Sequence, residues 1–197
     1  MQVATPRTLA LLPPEVQANF PPTVPFVRYG THGDGTCFFH SVCAARNEQG
    51  YLHTTAAEQK RIGRQYRRDF TRHITDARWT EFAGRHGLDI SPAQIRRDFR
   101  NSRHWANQGM IQFVADVMKL NIMFVDTSTS KMYCGVHGGA SEPLIMILWV
   151  KRMHFEPVGA CRGVTPDKTG VQFVFDPRAD ADIVDQLMNK YNGQCAV

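Results

Sequence analysis

Leu144-Ile-Met-Ile-Leu-Trp-Val150 is an unbroken run of seven apolar residues. It narrows the fold more than any other stretch of the chain. A bilayer-crossing helix needs about 20 apolar residues, so the run cannot span a membrane. A strand with one wet face would alternate apolar and polar residues, and this one does not. The pattern predicts a central strand covered on both faces. Further strands are predicted at Phe26–Tyr29, Asn121–Asp126, Met132–Val136 and Val171–Phe175. Helical patterns come mostly earlier in the chain, and helices first with strands later predict an α+β domain.

The chain has enough material for such a core. It holds 197 residues, 43% hydrophobic and 21% charged. At this size about 70% of the unfolded surface can be buried without disulfide or metal staples. Residues 1–25 are proline-rich and read as an extended lead-in, with a helical turn near Pro14–Phe20. No linker divides residues 26–197, which read as one domain. The N-terminus lacks the basic start and long apolar core of a signal peptide. Five cysteines without a CxxC spacing point to free thiols in a reducing, intracellular compartment. A soluble cytoplasmic monomer is expected.

Local signals place the helices. Thr55-Ala-Ala-Glu58 and Ser91-Pro-Ala-Gln94 are capping boxes, in which side chains satisfy free backbone donors at a helix start. The helix after Thr55 carries an apolar stripe of Ile62, Tyr66, Phe70 and Ile74. Its other faces hold Lys60, Arg61, Arg64, Arg67, Arg68 and Arg72, read as a solvated surface. Short helices are predicted at Trp79–His86 and after Ser91, and longer ones at Asn107–Leu120 and Asp180–Tyr191.

The segment with the most chemistry is Gly33-Asp-Gly-Thr-Cys-Phe-Phe-His-Ser41. A glycine-containing turn runs straight into a helix whose first residue is Cys37. Free backbone donors and the helix dipole favour a negative charge there, so the thiol pKa is expected to fall. The same donors can receive the oxyanion of a tetrahedral intermediate. Cys43 lies on another face of that helix and reads as core. Cys134, Cys161 and Cys195 lack such a setting. Cys134-Gly-Val-His137 has a metal-like spacing, but no second pair completes a zinc site.

A thiol nucleophile needs a base. His154 heads His154-Phe-Glu-Pro-Val158 just after the apolar run. In an extended strand Glu156 points to the same face as His154, where it can orient the imidazole. His32, in the glycine turn, is the second choice. His40 rides the helix away from its N-terminus.

Three blocks in this order resemble the ovarian-tumour (OTU) cysteine proteases, which are deubiquitinases. The first is Asp34-Gly-Thr-Cys-Phe-Phe-His-Ser41. The second is Trp105-Ala-Asn-Gln-Gly-Met-Ile-Gln-Phe-Val-Ala115, followed by Asn121–Val125. The third is Leu144–Val150 leading to His154–Val158. The resemblance implies a papain-like fold with a central sheet flanked by helices. It implies Cys37 as nucleophile, His154 as general base and the Asp34–Cys37 backbone, including Gly35 and Thr36, as oxyanion hole. It also implies that Trp105 and Phe155 line a narrow channel for the glycine tail of ubiquitin or polyubiquitin, with no metal or organic cofactor. Glu156 stands where Asn or Asp is usual, and Phe155 where Tyr is usual. The compact length and the His-Phe-Glu-Pro-Val ending are similar to OTU proteases of large DNA viruses.

Rival readings remain. The net charge of +5, with Arg96, Arg97, Arg100 and Arg103 near the basic helix, permits a nucleic-acid-binding module. No RNA-binding aromatic signature or finger spacing accompanies these residues. An OTU-like fold that binds ubiquitin without turnover is another reading, and a papain-like peptidase acting on ordinary peptide bonds is a third.

Overall fold

The computed structural model describes residues 1–136, 141–162 and 167–191. His137, and with it the Cys134–His137 spacing, lies outside those residues, as does Cys195. In chain order the strands are β1 (Leu9–Leu11), β2 (Phe26–Tyr29), β3 (Asn121–Asp126), β4 (Lys131–Val136), β5 (Leu144–Val150), β6 (His154–Cys161), β7 (Val171–Gln172) and β8 (Val174–Phe175). The helices are α1 (Pro14–Gln17), α2 (Cys37–Arg46), α3 (Ala56–Asp69), α4 (Asp76–Arg85), α5 (Pro92–Arg100), α6 (Gln108–Met118) and α7 (Ala181–Tyr191). The sheet runs β1-β2-β6-β5-β3-β4, with β7 on β6 and β8 on β5.

The seven-residue run becomes β5, near the middle of the sheet. Its alternation divides it between two cores. Ile145 and Ile147 pack with α2, α5 and α6 through Phe38, Phe99 and Phe113. Leu144, Met146, Leu148 and Val150 pack on the other face with Val16, Phe20, Ile183 and Leu187. β3 lies parallel to β5, pairing Asn121 with Leu144 through Asp126 with Trp149. It splits the same way, with Ile122 and Phe124 on one side and Met123 and Val125 on the other. Each such side chain contributes about 2 kcal/mol by leaving water.

β5 turns back into β6, pairing Val150 with His154 and Leu148 with Glu156. The turn holds Lys151 and Arg152 in the left-handed region (φ 51° and 57°). It is pinned by Arg152 Nε on the buried carboxylate of Asp126, at 3.0 Å. The register of His154 therefore follows from the most apolar strand in the molecule. The N-terminal segment joins the same sheet, as β1 pairs Leu9 with Tyr29 of β2.

The basic face of α3 needs one correction. Arg61 pairs with Glu58 at 2.7 Å, and Arg72 pairs with Asp69. Arg67, however, is only 1% exposed. It lies on the stripe Gln59-Gly63-Arg67, which shares the buried side with Ile62. Its guanidinium donates to four carbonyls: Gly35 (2.8 Å), Phe99 (3.0 Å), Asp98 (2.6 Å) and His104 (2.6 Å). It also lies over the Phe39 ring. Burial lowers its pKa to about 10 against the opposing charges of Asp98, Cys37 and Asp34. One cation thus ties the glycine turn before Cys37 to the end of α5 and the loop after it. Arg67→Met leaves those carbonyls without their donor and is expected to cost about 3 kcal/mol. Urea unfolding should show the loss as a lower midpoint with an unchanged slope.

Candidate active site

Cys37 is the first residue of α2, as its sequence setting predicts. The preceding turn depends on Gly35, at φ +76°. A Cβ there would lie 2.0 Å from the Ser102 carbonyl oxygen, so only glycine lets the two loops meet. The Asp34 carboxylate is held by three neighbours. Its Oδ1 accepts the Thr36 N–H at 3.2 Å and lies 3.1 Å from His40 Nε2. Its Oδ2 meets Arg64 at 3.2 Å. Burial alone would raise the Asp34 pKa, but the bond and charge of His40, the Thr36 N–H and Arg64 outweigh it and hold it at about 2. His40 does not leave the site. It is fully buried, with Nδ1 2.9 Å from the Tyr51 hydroxyl, and it braces Asp34. Thr36 is buried, and its hydroxyl has no partner among the described residues.

The expected fall in the Cys37 pKa is overturned. The sulfur is surrounded by the N–H groups of Phe155, Phe38 and Cys37 itself, which favour the thiolate. Burial outweighs them and pushes the pKa up, with Asp34 adding to the rise. Cys37 is 7% exposed, and the helix-terminus effect falls short of the cost of desolvating a charge. The resting residue is a neutral thiol.

His154 heads β6, one residue before the N–H that faces the sulfur. Its nearest polar partner is Thr31, which the sequence did not single out. Thr31 Oγ1 donates to the Phe155 carbonyl at 2.6 Å and lies 3.1 Å from His154 Nε2. With its only proton committed to that carbonyl, Thr31 can only accept from Nε2–H. This geometry favours the tautomer with its proton on Nε2 and Nδ1 unprotonated. A Cβ built on Gly33 would lie 4.0 Å from Nδ1, so the free nitrogen looks toward the nucleophile turn.

Glu156 does share the face of His154, and its Oε1 lies 3.9 Å from Nε2. That is beyond a hydrogen bond but close enough to stabilise an imidazolium. The carboxylate is wholly buried. It accepts the Ala4 N–H at 2.7 Å and Arg28 NH1 at 3.0 Å. Burial raises its pKa, and these two donors oppose the rise.

The remaining candidates divide. Phe155 is 5% exposed. Its ring is stacked on Trp149 and edge-on to Phe38 and Phe124, so its backbone rather than its ring meets the site. Trp105 is half exposed and follows the loop that packs on Gly35. His32 is buried, 3.1 Å from Gln59 Oε1. Cys43 lies in the core, and Cys161 is buried at the end of β6. No cluster of three or more His, Cys, Asp or Glu is placed to hold a metal among the described residues.

No family model matches the sequence, and no curated protein is similar to it. Solved structures do match it. An ovarian tumour (OTU) domain in complex with ubiquitin aligns over 98% of this chain and 99% of its own, with a TM-score of 0.57 and 12% identity. The Hazara virus OTU bound to ubiquitin aligns over 79% of this chain and 90% of its own (TM-score 0.52, 12% identity). The viral OTU domain protease from Taggert virus aligns over 80% and 89% (TM-score 0.52, 15% identity). This chain has the OTU fold. The three sequence blocks that resemble OTU proteases lie on one mixed α/β sheet-and-helix frame of that kind. No helix among the described residues is long and apolar enough to cross a membrane.

Burial lowers the His154 pKa from 6.5 to about 4, helped by the charge of His40 and opposed by a hydrogen bond to the Thr31 backbone and the charge of Asp34. The folded chain therefore favours neutral imidazole. Above pH 6.5 neither state binds this proton. As the pH falls toward 4 the unfolded chain takes it up and the folded chain does not, so stability drops by about 3 kcal/mol. Denaturant titrations across this window should show that loss in the wild type and a flatter profile in His154→Gln.

Proposed function

We propose that the chain is a cysteine-dependent deubiquitinase that cleaves the isopeptide bond after the C-terminal glycine of ubiquitin. One observation carries the reading. The Cys37 sulfur sits among three backbone N–H groups beside the strand that presents His154 with Nδ1 free. Two structural neighbours are OTU domains solved with ubiquitin.

The chemistry starts from a neutral pair. Nδ1 of His154 takes the Cys37 proton as the sulfur attacks the glycine carbonyl carbon. The imidazolium keeps its Nε2–H on Thr31, and the Glu156 carboxylate offsets its charge. Backbone N–H groups at the start of α2 receive the oxyanion. The imidazolium then protonates the departing lysine amine, and His154 later activates the water that hydrolyses the thioester. In this reading Trp105 flanks the glycine tail, and Arg67 holds the Gly35 carbonyl so that the turn does not shift when the oxyanion forms. No step calls on a metal or organic cofactor.

Ubiquitin carrying a C-terminal electrophile is expected to add once to the wild-type protein, a gain of one ubiquitin mass by intact-mass spectrometry. The adduct should vanish in Cys37→Ala. A folded wild-type chain that forms no adduct rules the reading out and leaves ubiquitin binding without turnover, or ordinary peptide cleavage, to be tested. Thr31→Val keeps the shape but removes the acceptor of Nε2–H. It should lower kcat on a fluorogenic ubiquitin substrate about tenfold, while Thr31→Ser stays near wild type.

A further inference from the structure

The N-terminal segment closes over the back of the His154–Glu156 pair. The Ala4 N–H donates to Glu156 Oε1 at 2.7 Å, and this is the oxygen 3.9 Å from His154 Nε2. Two residues earlier, the Gln2 carbonyl accepts from Arg28 NH1 at 2.8 Å, the same nitrogen that binds Glu156 Oε2 at 3.0 Å. Alternate backbone groups of one strand-like segment thus grip both members of a buried ion pair. The segment is anchored beyond this point. The Arg7 N–H donates to the Gly30 carbonyl at 2.8 Å, and the Gly30 N–H donates to the Thr8 carbonyl at 2.9 Å. A Cβ on Gly30 would lie 2.1 Å from the Thr5 carbonyl oxygen, so the residue before Thr31 must be glycine for the segment to lie this close. Ala4 itself is 6% exposed.

We infer that the backbone N–H of Ala4 is a positioning group for catalysis: through Ala4 and Gln2 the N-terminal strap holds the Glu156 carboxylate in place beside His154. The inference rests on the reading of the site as a cysteine protease. Glu156 has few other means of support. Among the described residues, the charged or titratable groups facing it are Arg28 from β2 and His154 from its own strand, and the strap adds the neutral Ala4 donor. A buried carboxylate that loses a donor becomes easier to protonate and freer to turn. A protonated or displaced Glu156 no longer offsets the imidazolium formed during turnover. No hydrogen bond among the described residues joins the strap to Cys37 or the start of α2, so its loss should act on the chemical step rather than on substrate binding.

Ala4→Pro removes this N–H, and Val3→Pro places the same ring one residue earlier while leaving the N–H intact. With the fluorogenic ubiquitin substrate, Ala4→Pro should lower kcat about tenfold at unchanged KM. The acid limb of its pH profile should move to higher pH. Val3→Pro should keep wild-type kcat. Iodoacetamide alkylation of Cys37 gives a readout that needs no ubiquitin and should slow in Ala4→Pro alone. If the wild type turns over no ubiquitin substrate, the deubiquitinase reading fails while the alkylation rates still decide the strap. Wild-type kcat and alkylation in Ala4→Pro would overturn it, as would equal losses in both proline variants. Should Ala4→Pro not fold, the unmodified protein decides. Its Ala4 amide proton should resist exchange and shift with the ionisation of Glu156, and exchange at the rate of a free peptide overturns the strap.

Discussion

The seating of the α2 N-terminus against β6 is the contact on which the rest of the site depends. Phe155 carries it with three different groups. Its ring packs among Phe38, Phe124 and Trp149 and locks the strand to the helix. Its N–H faces the Cys37 sulfur. Its carbonyl takes the Thr31 proton and so fixes which nitrogen of His154 is the base. Packing energy and the geometry of the candidate site rest on the same contact here. A change that loosens the aromatic cluster would disturb the sulfur, the tautomer and the register of β6 together.

Desolvation sets the charge state of the pair. A helix terminus and three N–H groups favour a thiolate, but an almost closed site costs more than they return. The imidazole is kept neutral by the same burial. Two charges that remain inside meet partners locally. Arg67 spends its donors on four carbonyls, and Glu156 takes Arg28 and the Ala4 N–H. Stripping one partner from either group is expected to hurt far more than the net worth of the contact, because the other partner stays buried.

Local pattern made much of this legible in the sequence. The continuous run gave the limits of β5, the capping residues Thr55 and Ser91 marked helix starts, and the glycine turn located the first residue of α2. Strand parity correctly paired Glu156 with His154. What stayed hidden was long-range. Ala4 and Glu156 are 152 residues apart, and Thr31 and His154 are 123 apart. No periodicity brings such pairs together. Arg67 carried a faint signal in the Gln59-Gly63 step, masked by the many exposed arginines around it. The sign of the Cys37 shift was missed because a helix terminus can be read locally, whereas burial depends on the distant strand β6 packing against α2.

The direct test of a neutral thiol–imidazole pair is the protonation of His154 in the resting protein, followed by 15N NMR of the imidazole ring across pH. The predicted spectrum at pH 7 has Nε2 protonated and Nδ1 bare, with no second protonation until the pH approaches 4. An imidazolium at pH 7, or a proton on Nδ1 instead of Nε2, would contradict the roles given to Thr31 and to the base.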